Sequence, residues 1–129
     1  MFKYFKVFRV WQWVKNLIIF IPVVLSNKFS IPTLLDCTIL FFTFSIFVSG
    51  TYIFNDIKDV HLDLKHPEKK LRPIASGDIK LSNAKFTGFI AILVPIFISI
   101  LNFKHEITIL FILYLDFKNK QKSFYFVII

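Results

Sequence analysis

This 129-residue chain lacks most of what holds a small soluble protein together. It has one cysteine, Cys37, so no internal disulfide can form. Glycine occurs three times and proline five, which excludes a collagen and any Gly/Pro-rich low-complexity tract. Acidic residues number only eight, and charged residues of both signs make up 19%, too few for an intrinsically disordered chain. No internal repeat and no shift of composition marks a second domain, so 1–129 reads as a single domain. What the chain has instead is apolar bulk. Hydrophobic residues are 56% of it, phenylalanine alone fills 18 positions, and the mean hydropathy is +0.66. That excess excludes most small soluble enzymes and points to a membrane protein, provided the apolar residues are gathered into long runs.

They are so gathered. Cys37–Phe54 and Phe86–Phe103 each run eighteen residues without a charge. As helices each would span about 27 Å, close to the hydrocarbon thickness of a bilayer. Neither carries the polar stripe of a soluble amphipathic helix, and so short a chain cannot hide two such helices from water. A third run, Asn16–Asn27, reaches spanning length by recruiting Trp11, Trp13 and Val14, with Lys15 snorkelling to the surface. Ile107–Leu115 is half a span. The N-terminus is basic and apolar, but no small-x-small cleavage site precedes Asn27, so it is expected to be retained rather than cleaved as a signal peptide. The expected fold is all-α: three to four transmembrane helices of a multi-pass bundle.

Sixteen Lys and Arg stand against the eight acids, a net charge of +8. In a soluble protein that would suggest nucleic acid; here topology accounts for it, and no nucleic-acid partner is expected. Lys3, Lys6, Arg9 and Lys15 precede the first run, and Lys28 alone follows it. Lys58, Lys65, Lys69, Lys70, Arg72, Lys80 and Lys85 lie between the second and third. Lys104 follows the third, and Lys118, Lys120 and Lys122 follow the half-span. Basic residues therefore alternate between rich and poor segments. The positive-inside rule then puts the N-terminus and the 55–85 loop in the cytoplasm of a plasma-membrane protein. Anionic head groups or phosphates are the expected partners.

The chemistry concentrates in residues 55–78, NDIKDVHLDLKHPEKKLRPIASGD. Asp56, Asp59 and Asp63 fall at i, i+3 and i+7, within roughly 60° of one another on a helix. Three carboxylates on one face repel unless a cation neutralises them, and Mg²⁺ suits a few carboxylates completed by substrate phosphates. Lys65, Lys69, Lys70 and Arg72 follow, so acids that hold Mg²⁺ stand next to bases that hold phosphate. This pattern suits a diphosphate-bearing substrate, although the acid spacing also arises in any polar helix. Pro67 and Pro73 stop a helix and place the bases on a bent loop; Gly77 permits a tight turn. A zinc site from Asp59, Asp63, His61 and His66 matches no common ligand spacing. Cys37 and His105 read as lipid-side and loop residues.

Here the chain resembles the UbiA superfamily of intramembrane prenyltransferases. Asn55, Asp56, Asp59 and Asp63 match its first aspartate-rich motif, N-D-x-x-D-x-x-x-D, after the second transmembrane helix. Trp11-Gln12-Trp13-Val14-Lys15-Asn16, Pro22, and His66-Pro67-x-Lys69-Lys70-x-Arg72-Pro73-Ile74-Ala75-Ser76-Gly77 are similar to the decaprenyl-phosphate phosphoribosyltransferase branch. The resemblance covers about residues 8–115. It implies Mg²⁺-dependent transfer of a 5-phosphoribosyl group from phosphoribosyl diphosphate to a polyprenyl phosphate. It assigns Asp56, Asp59 and Asp63 to Mg²⁺ and diphosphate, with Asn55 as their hydrogen-bonding neighbour. Lys69, Lys70 and Arg72 are assigned to substrate phosphates and Lys15 to the lipid phosphate. The aromatic and aliphatic spans would line a groove for the polyprenyl tail.

The family has about nine transmembrane helices and a second aspartate-rich motif between later ones. After Leu115 this chain reads DFKNKQKSFYFVII, where an apolar continuation is expected. The chain is therefore expected to be the N-terminal part of such a transferase, from a frameshifted or truncated gene, with a C-terminal complementing fragment as a further partner. The alternatives are an aromatic-acceptor prenyltransferase of the same family, an inactive membrane fragment, and a small multi-pass protein that binds or passes cations. The last needs ionisable residues inside the spans, and the two long runs contain none.

Overall fold

The computed structural model of the chain describes residues 2–26, 29–103 and 105–128, with side chains as far as Lys118 and at Lys120. Asn27, Lys28, Lys104 and the Lys122 side chain, used above for spans and orientation, lie outside the described set. Within it every regular element is helical. The chain divides into two compact units, residues 1–95 and 96–129.

In the first unit α1 (Phe2–Phe8) ends at Arg9, whose backbone is left-handed (φ 50°, ψ 45°) and whose N–H bonds back to the Lys6 carbonyl (3.2 Å). A 3₁₀ helix, Val10–Phe20, follows, and then α2 (Ile21–Leu25), which has Pro22 in its first turn where a missing N–H costs nothing. The α1 axis and the Val10–Leu25 stretch meet at 49°. The first span expected from the sequence, from Trp11 onward, corresponds to the second limb of this bent pair, Val10–Leu25. Most of that limb is 3₁₀ rather than α, so residues three apart eclipse one another.

The second span is longer than its charge-free run. α3 covers Ile31–Lys58; Ser30 caps it by accepting from the Thr33 N–H (3.3 Å), with Pro32 in the first turn. Asp59 (φ −92°, ψ 5°) interrupts the helix before α4 (Val60–Asp63). A loop containing a short 3₁₀ turn, Lys69–Leu71, leads to α5 (Leu81–Asn102). Gly77 takes φ +79° in that loop, the tight turn expected of it.

α3 and α5 approach closely at glycines. A methyl group at Gly50 would stand 2.8 Å from Ile92 Cγ1 and 3.1 Å from the Ala91 carbonyl carbon. One at Gly88 would stand 3.1 Å from Ile53 Cγ2 and from Phe54 Cε2. Small residues that let backbones come together are how helices associate where no hydrophobic force drives them. At one end of these helices Val7, Ile53, Ile74, Ile79 and Ala84 form a buried cluster, with Phe8, Ile57 and Val60 against it. Ile74 and Ile79 belong to the loop, so burial of two isoleucines pins its second half onto α1, α3 and α5. Each fully buried side chain contributes about 1.5–3 kcal/mol to that anchoring.

The second unit holds the end of α5 and α6 (His105–Ile128). Buried Ser99 and Thr108 hydrogen-bond to each other (2.9 Å) and satisfy two hydroxyls away from water. His105 opens α6 rather than lying in a loop. The half-span continues as helix well beyond Leu115, through Asp116 and Lys120, which pair at i,i+4 (2.7 Å).

Among the described residues two helices, α3 and α5, are long and apolar enough to cross a membrane, or three spans if the bent N-terminal pair is one. Only 17% and 28% of their most apolar windows are buried. Phe42, Phe89, Leu93 and Phe97 are among the many large apolar side chains left exposed. In water such a surface would aggregate; in lipid it is the solvent-facing side. The chain is an all-helical membrane protein.

Candidate functional site

The acidic motif sits where α3 leaves its apolar stretch. Asp56 lies in the last turn of α3, Asp63 at the end of α4, and Asp59 at the break between them. The backbone ladder nearly survives the break: Asp59 N–H donates to the Asn55 carbonyl (2.9 Å), and Asp63 N–H to the Asp59 carbonyl (2.8 Å). Asn55 thus supports the motif through its main chain. Two of the three acids are brought to one point. Arg72 Nη1 donates to Asp56 Oδ1 (3.1 Å) and to Asp63 Oδ2 (2.8 Å). Both carboxylates are buried, at 7% and 3% exposure, and that guanidinium offsets part of the cost of burying them. Among the described residues no three acidic, histidine or cysteine groups converge as a metal cage.

Arg72 is carried there by the loop. His66 Nδ1 accepts from the Glu68 and Lys69 N–H groups (3.2 and 3.3 Å) and caps the 3₁₀ turn, which gives His66 a local structural role. Arg72 then turns extended (φ −64°, ψ 141°) ahead of buried Pro73 and Ile74. Lys69 and Lys70 share the turn but are exposed, and neither lines the cavity beside Arg72.

Sequence reasoning missed Arg9. Its Nη2 donates to Asp56 Oδ1 at 2.6 Å, and its guanidinium lies 4.7 Å from the centre of the Tyr52 ring. From the sequence it contributes only to orientation, among the basic residues before the first span. The available signal was its type: a guanidinium, unlike the neighbouring lysines, can bridge a carboxylate and stack on an aromatic ring. Lys6, Arg9, Gln12, Asp56, Glu68 and Arg72 are among the residues around a cavity of about 360 Å³. Arg9 and Gln12 also border a smaller one of about 50 Å³ with Lys15, Asn16 and Tyr52. Lys15 itself is exposed, one 3₁₀ turn from Gln12, about 6 Å along the axis.

Polar contacts hold the 3₁₀ helix against α3. Trp13 Nε1 donates to Ser49 Oγ (3.0 Å), and Asn16 Nδ2 to Ser45 Oγ (2.9 Å). The Ser49 hydroxyl donates to the Phe8 carbonyl (2.6 Å). Trp13 and Asn16 are three apart and Ser45 and Ser49 four apart, so a 3₁₀ face meets an α face in register. On the other side of Trp13 lies an apolar cavity of about 510 Å³, bordered by Phe5, Phe8, Phe86, Ile90 and Val94 among others. A cavity with three basic and two acidic residues in its wall and an apolar one thus border the same short helix.

Asp56 and Asp63 together offer what a hard divalent cation takes from a protein when a substrate's oxygens complete its shell: one or two carboxylates. In that shared sense the donor set of Asp56 and Asp63 fits Mg²⁺.

Residues 16–116 match the model of the UbiA prenyltransferase family. The chain is 40% identical over 87 residues to the uncharacterized protein y4nM of Sinorhizobium fredii, a match covering 67% of this chain and 16% of that one. It is 35% identical over 82 residues to the decaprenyl-phosphate phosphoribosyltransferase of Corynebacterium glutamicum, covering 61% of this chain and 25% of the relative. It is 35% identical over 68 residues to the nodulation protein NoeC of Azorhizobium caulinodans, covering 53% and 22%. The chain therefore spans about a quarter or less of the length of these relatives. No solved structure matches it.

Proposed function

The chain belongs to the UbiA prenyltransferase family, and from that premise we propose that it serves the transfer of a 5-phosphoribosyl group from phosphoribosyl diphosphate to a polyprenyl phosphate, holding the diphosphate side of the reaction. The observation that carries this reading is the convergence of buried Asp56 and Asp63 on Arg72 at the edge of a cavity that Lys6 and Arg9 also border. Relatives named for that transfer support the branch.

Asp56 and Asp63 would hold Mg²⁺, with Asp59 beside them at the helix break. When bound, the ion would supply positive charge against the departing diphosphate. Arg72 would contact the same phosphates; Lys69 and Lys70 would act from the exposed side of the turn. Lys15 would meet the lipid phosphate, which is already an anion and needs no strong general base. The apolar cavity beside Trp13 suits the first units of a polyprenyl tail. The reading also includes a plasma-membrane location with the N-terminus and the 55–85 loop in the cytoplasm. The acceptor side would come from a further, complementing polypeptide segment.

The test is Mg²⁺-dependent binding of phosphoribosyl diphosphate to the purified chain in nanodiscs. Asp56→Asn and Asp63→Asn should each weaken it tenfold or more, and Asp78→Asn should leave it unchanged. Equal effects of all three would reduce the loop to a solvated charge cluster. A prenyl diphosphate that binds in place of phosphoribosyl diphosphate would favour the aromatic-acceptor branch.

A further inference from the structure

We propose that Arg9 is a phosphate-binding residue of this site, parked on Asp56 in the ligand-free chain and passed to a diphosphate group when the acids take up their cation. The inference rests on the reading of the site as a diphosphate site and adds to it a ligand from the N-terminal span.

Three observations carry it. The first is the backbone. Arg9 is the only non-glycine residue at positive φ among those described. It occupies the elbow between α1 and the 3₁₀ helix, in the left-handed position that usually ends a helix with glycine. An L-residue is disfavoured there, and such outliers gather at functional sites. Glycine would make the turn without strain, so the side chain is what the position retains.

The second is charge. The cavity of about 360 Å³ is bordered by three cations, Lys6, Arg9 and Arg72, against two acids, Asp56 and Glu68. A divalent cation on the acids would leave the guanidiniums of Arg9 and Arg72 without their carboxylates and the cavity strongly positive. A diphosphate group then restores the balance, and a guanidinium fork matches its oxygens in pairs. Lys69 and Lys70 do not border this space, whereas Lys6 and Arg9 do.

The third is position. Arg9 borders both the larger cavity and the smaller one that includes Lys15. It is held from behind by Tyr52 at 4.7 Å, and its side chain is 18% exposed, so it can exchange partners without leaving its seat.

The experiment titrates the 129-residue chain in phosphatidylcholine nanodiscs with inorganic diphosphate and Mg²⁺ by calorimetry, and follows its melting temperature. Arg9→Lys, which keeps the charge and loses the fork, should weaken binding about tenfold. Arg9→Gly should weaken it further while the melting temperature holds or rises, since the strained turn relaxes and Arg72 still serves Asp56. Binding within twofold of the parent in a folded Arg9→Lys chain would overturn the assignment. So would a loss that appears with undecaprenyl monophosphate in the nanodisc but not with diphosphate, which would make Arg9 a lipid-phosphate residue. Loss with Asp56→Asn alongside Arg9-insensitive binding would sink the assignment and leave the site's reading intact. Failure of the parent chain to bind Mg²⁺ and diphosphate would sink both.

Discussion

Asp56 Oδ1 accepts from two guanidiniums at once, and at 7% exposure it has little water to fall back on. Neutralising it leaves Arg9 and Arg72 facing a weaker acceptor, and breaking a buried pair costs about 3–5 kcal/mol. Both arginines are partly solvated, so Asp56→Asn should cost less, about 2 kcal/mol, read as a shift in denaturant midpoint in detergent. Asp78 is the contrast. The Lys3 ammonium donates to it at 2.8 Å and attracts its charge, holding the carboxyl below its ordinary 3.8. A depressed folded-state value means that this pair helps the fold above the ordinary value and stops helping as pH falls through the lowered one. Because both partners are exposed, the pair should be weakened by salt. Lys3→Ala should bring the Asp78 titration, followed by NMR, back toward 3.8, with no loss of fold at neutral pH. At this scale the acids were legible in the sequence because NDxxDxxxD is a local pattern. Arg9 was not, because its partner is 47 positions away and only the bend at the end of α1 brings them together.

At the scale of elements, the two long spans were legible from their charge-free runs, and the loop's bend from Pro67, Pro73 and Gly77. The 3₁₀ conformation of Val10–Phe20 was not, since its apolar residues suit an α-helix equally well and its register is set by Trp13 and Asn16 meeting Ser49 and Ser45. Nor was the close approach of α3 to α5, which depends on glycines that a sequence shows only as gaps in a hydrophobic run. These glycines should respond differently to a methyl group. Alanine gains up to about 1 kcal/mol over glycine in a helix. At Gly88 the methyl group meets side-chain atoms of Ile53 and Phe54 at 3.1 Å, which yield by a few tenths of an ångström. Gly88→Ala should therefore be close to neutral. At Gly50 it meets Ile92 Cγ1 at 2.8 Å and the Ala91 backbone at 3.1 Å, and backbone cannot turn aside. Gly50→Ala should cost about 1–3 kcal/mol of overpacking, enough to outweigh the propensity gain. Reversible unfolding in mixed micelles separates the two, and equal effects would mean that α3 and α5 do not pack through these positions.

For the whole molecule, the alternation of basic segments predicts an orientation, and the bare surface of the spans bears on the proposed activity. Cysteines placed at Lys65 and Lys80 in a Cys37→Ser background should be shielded from an impermeant thiol reagent in intact cells and should label after permeabilisation. Labelling in intact cells would invert the orientation. Activity follows from what the described helices can enclose. Less than a third of the apolar window of α3 or α5 is covered, so neither closes a groove around a polyprenyl chain. Group transfer needs both reactants held in near-attack geometry, and loss of that positioning can remove several orders of magnitude in rate. The described site has carboxylates and guanidiniums for one reactant, and the apolar cavity beside Trp13 is open for the other. The 129-residue chain by itself should therefore bind Mg²⁺ and phosphoribosyl diphosphate yet transfer no measurable phosphoribose. Co-expression with the remaining helices of a full-length family member should restore transfer. The assay follows labelled phosphoribose into the lipid phase, with polyprenyl phosphate and Mg²⁺ supplied. Turnover by the purified chain alone would overturn this expectation, and its dependence on protein concentration would then show whether two or more copies complete each other's site.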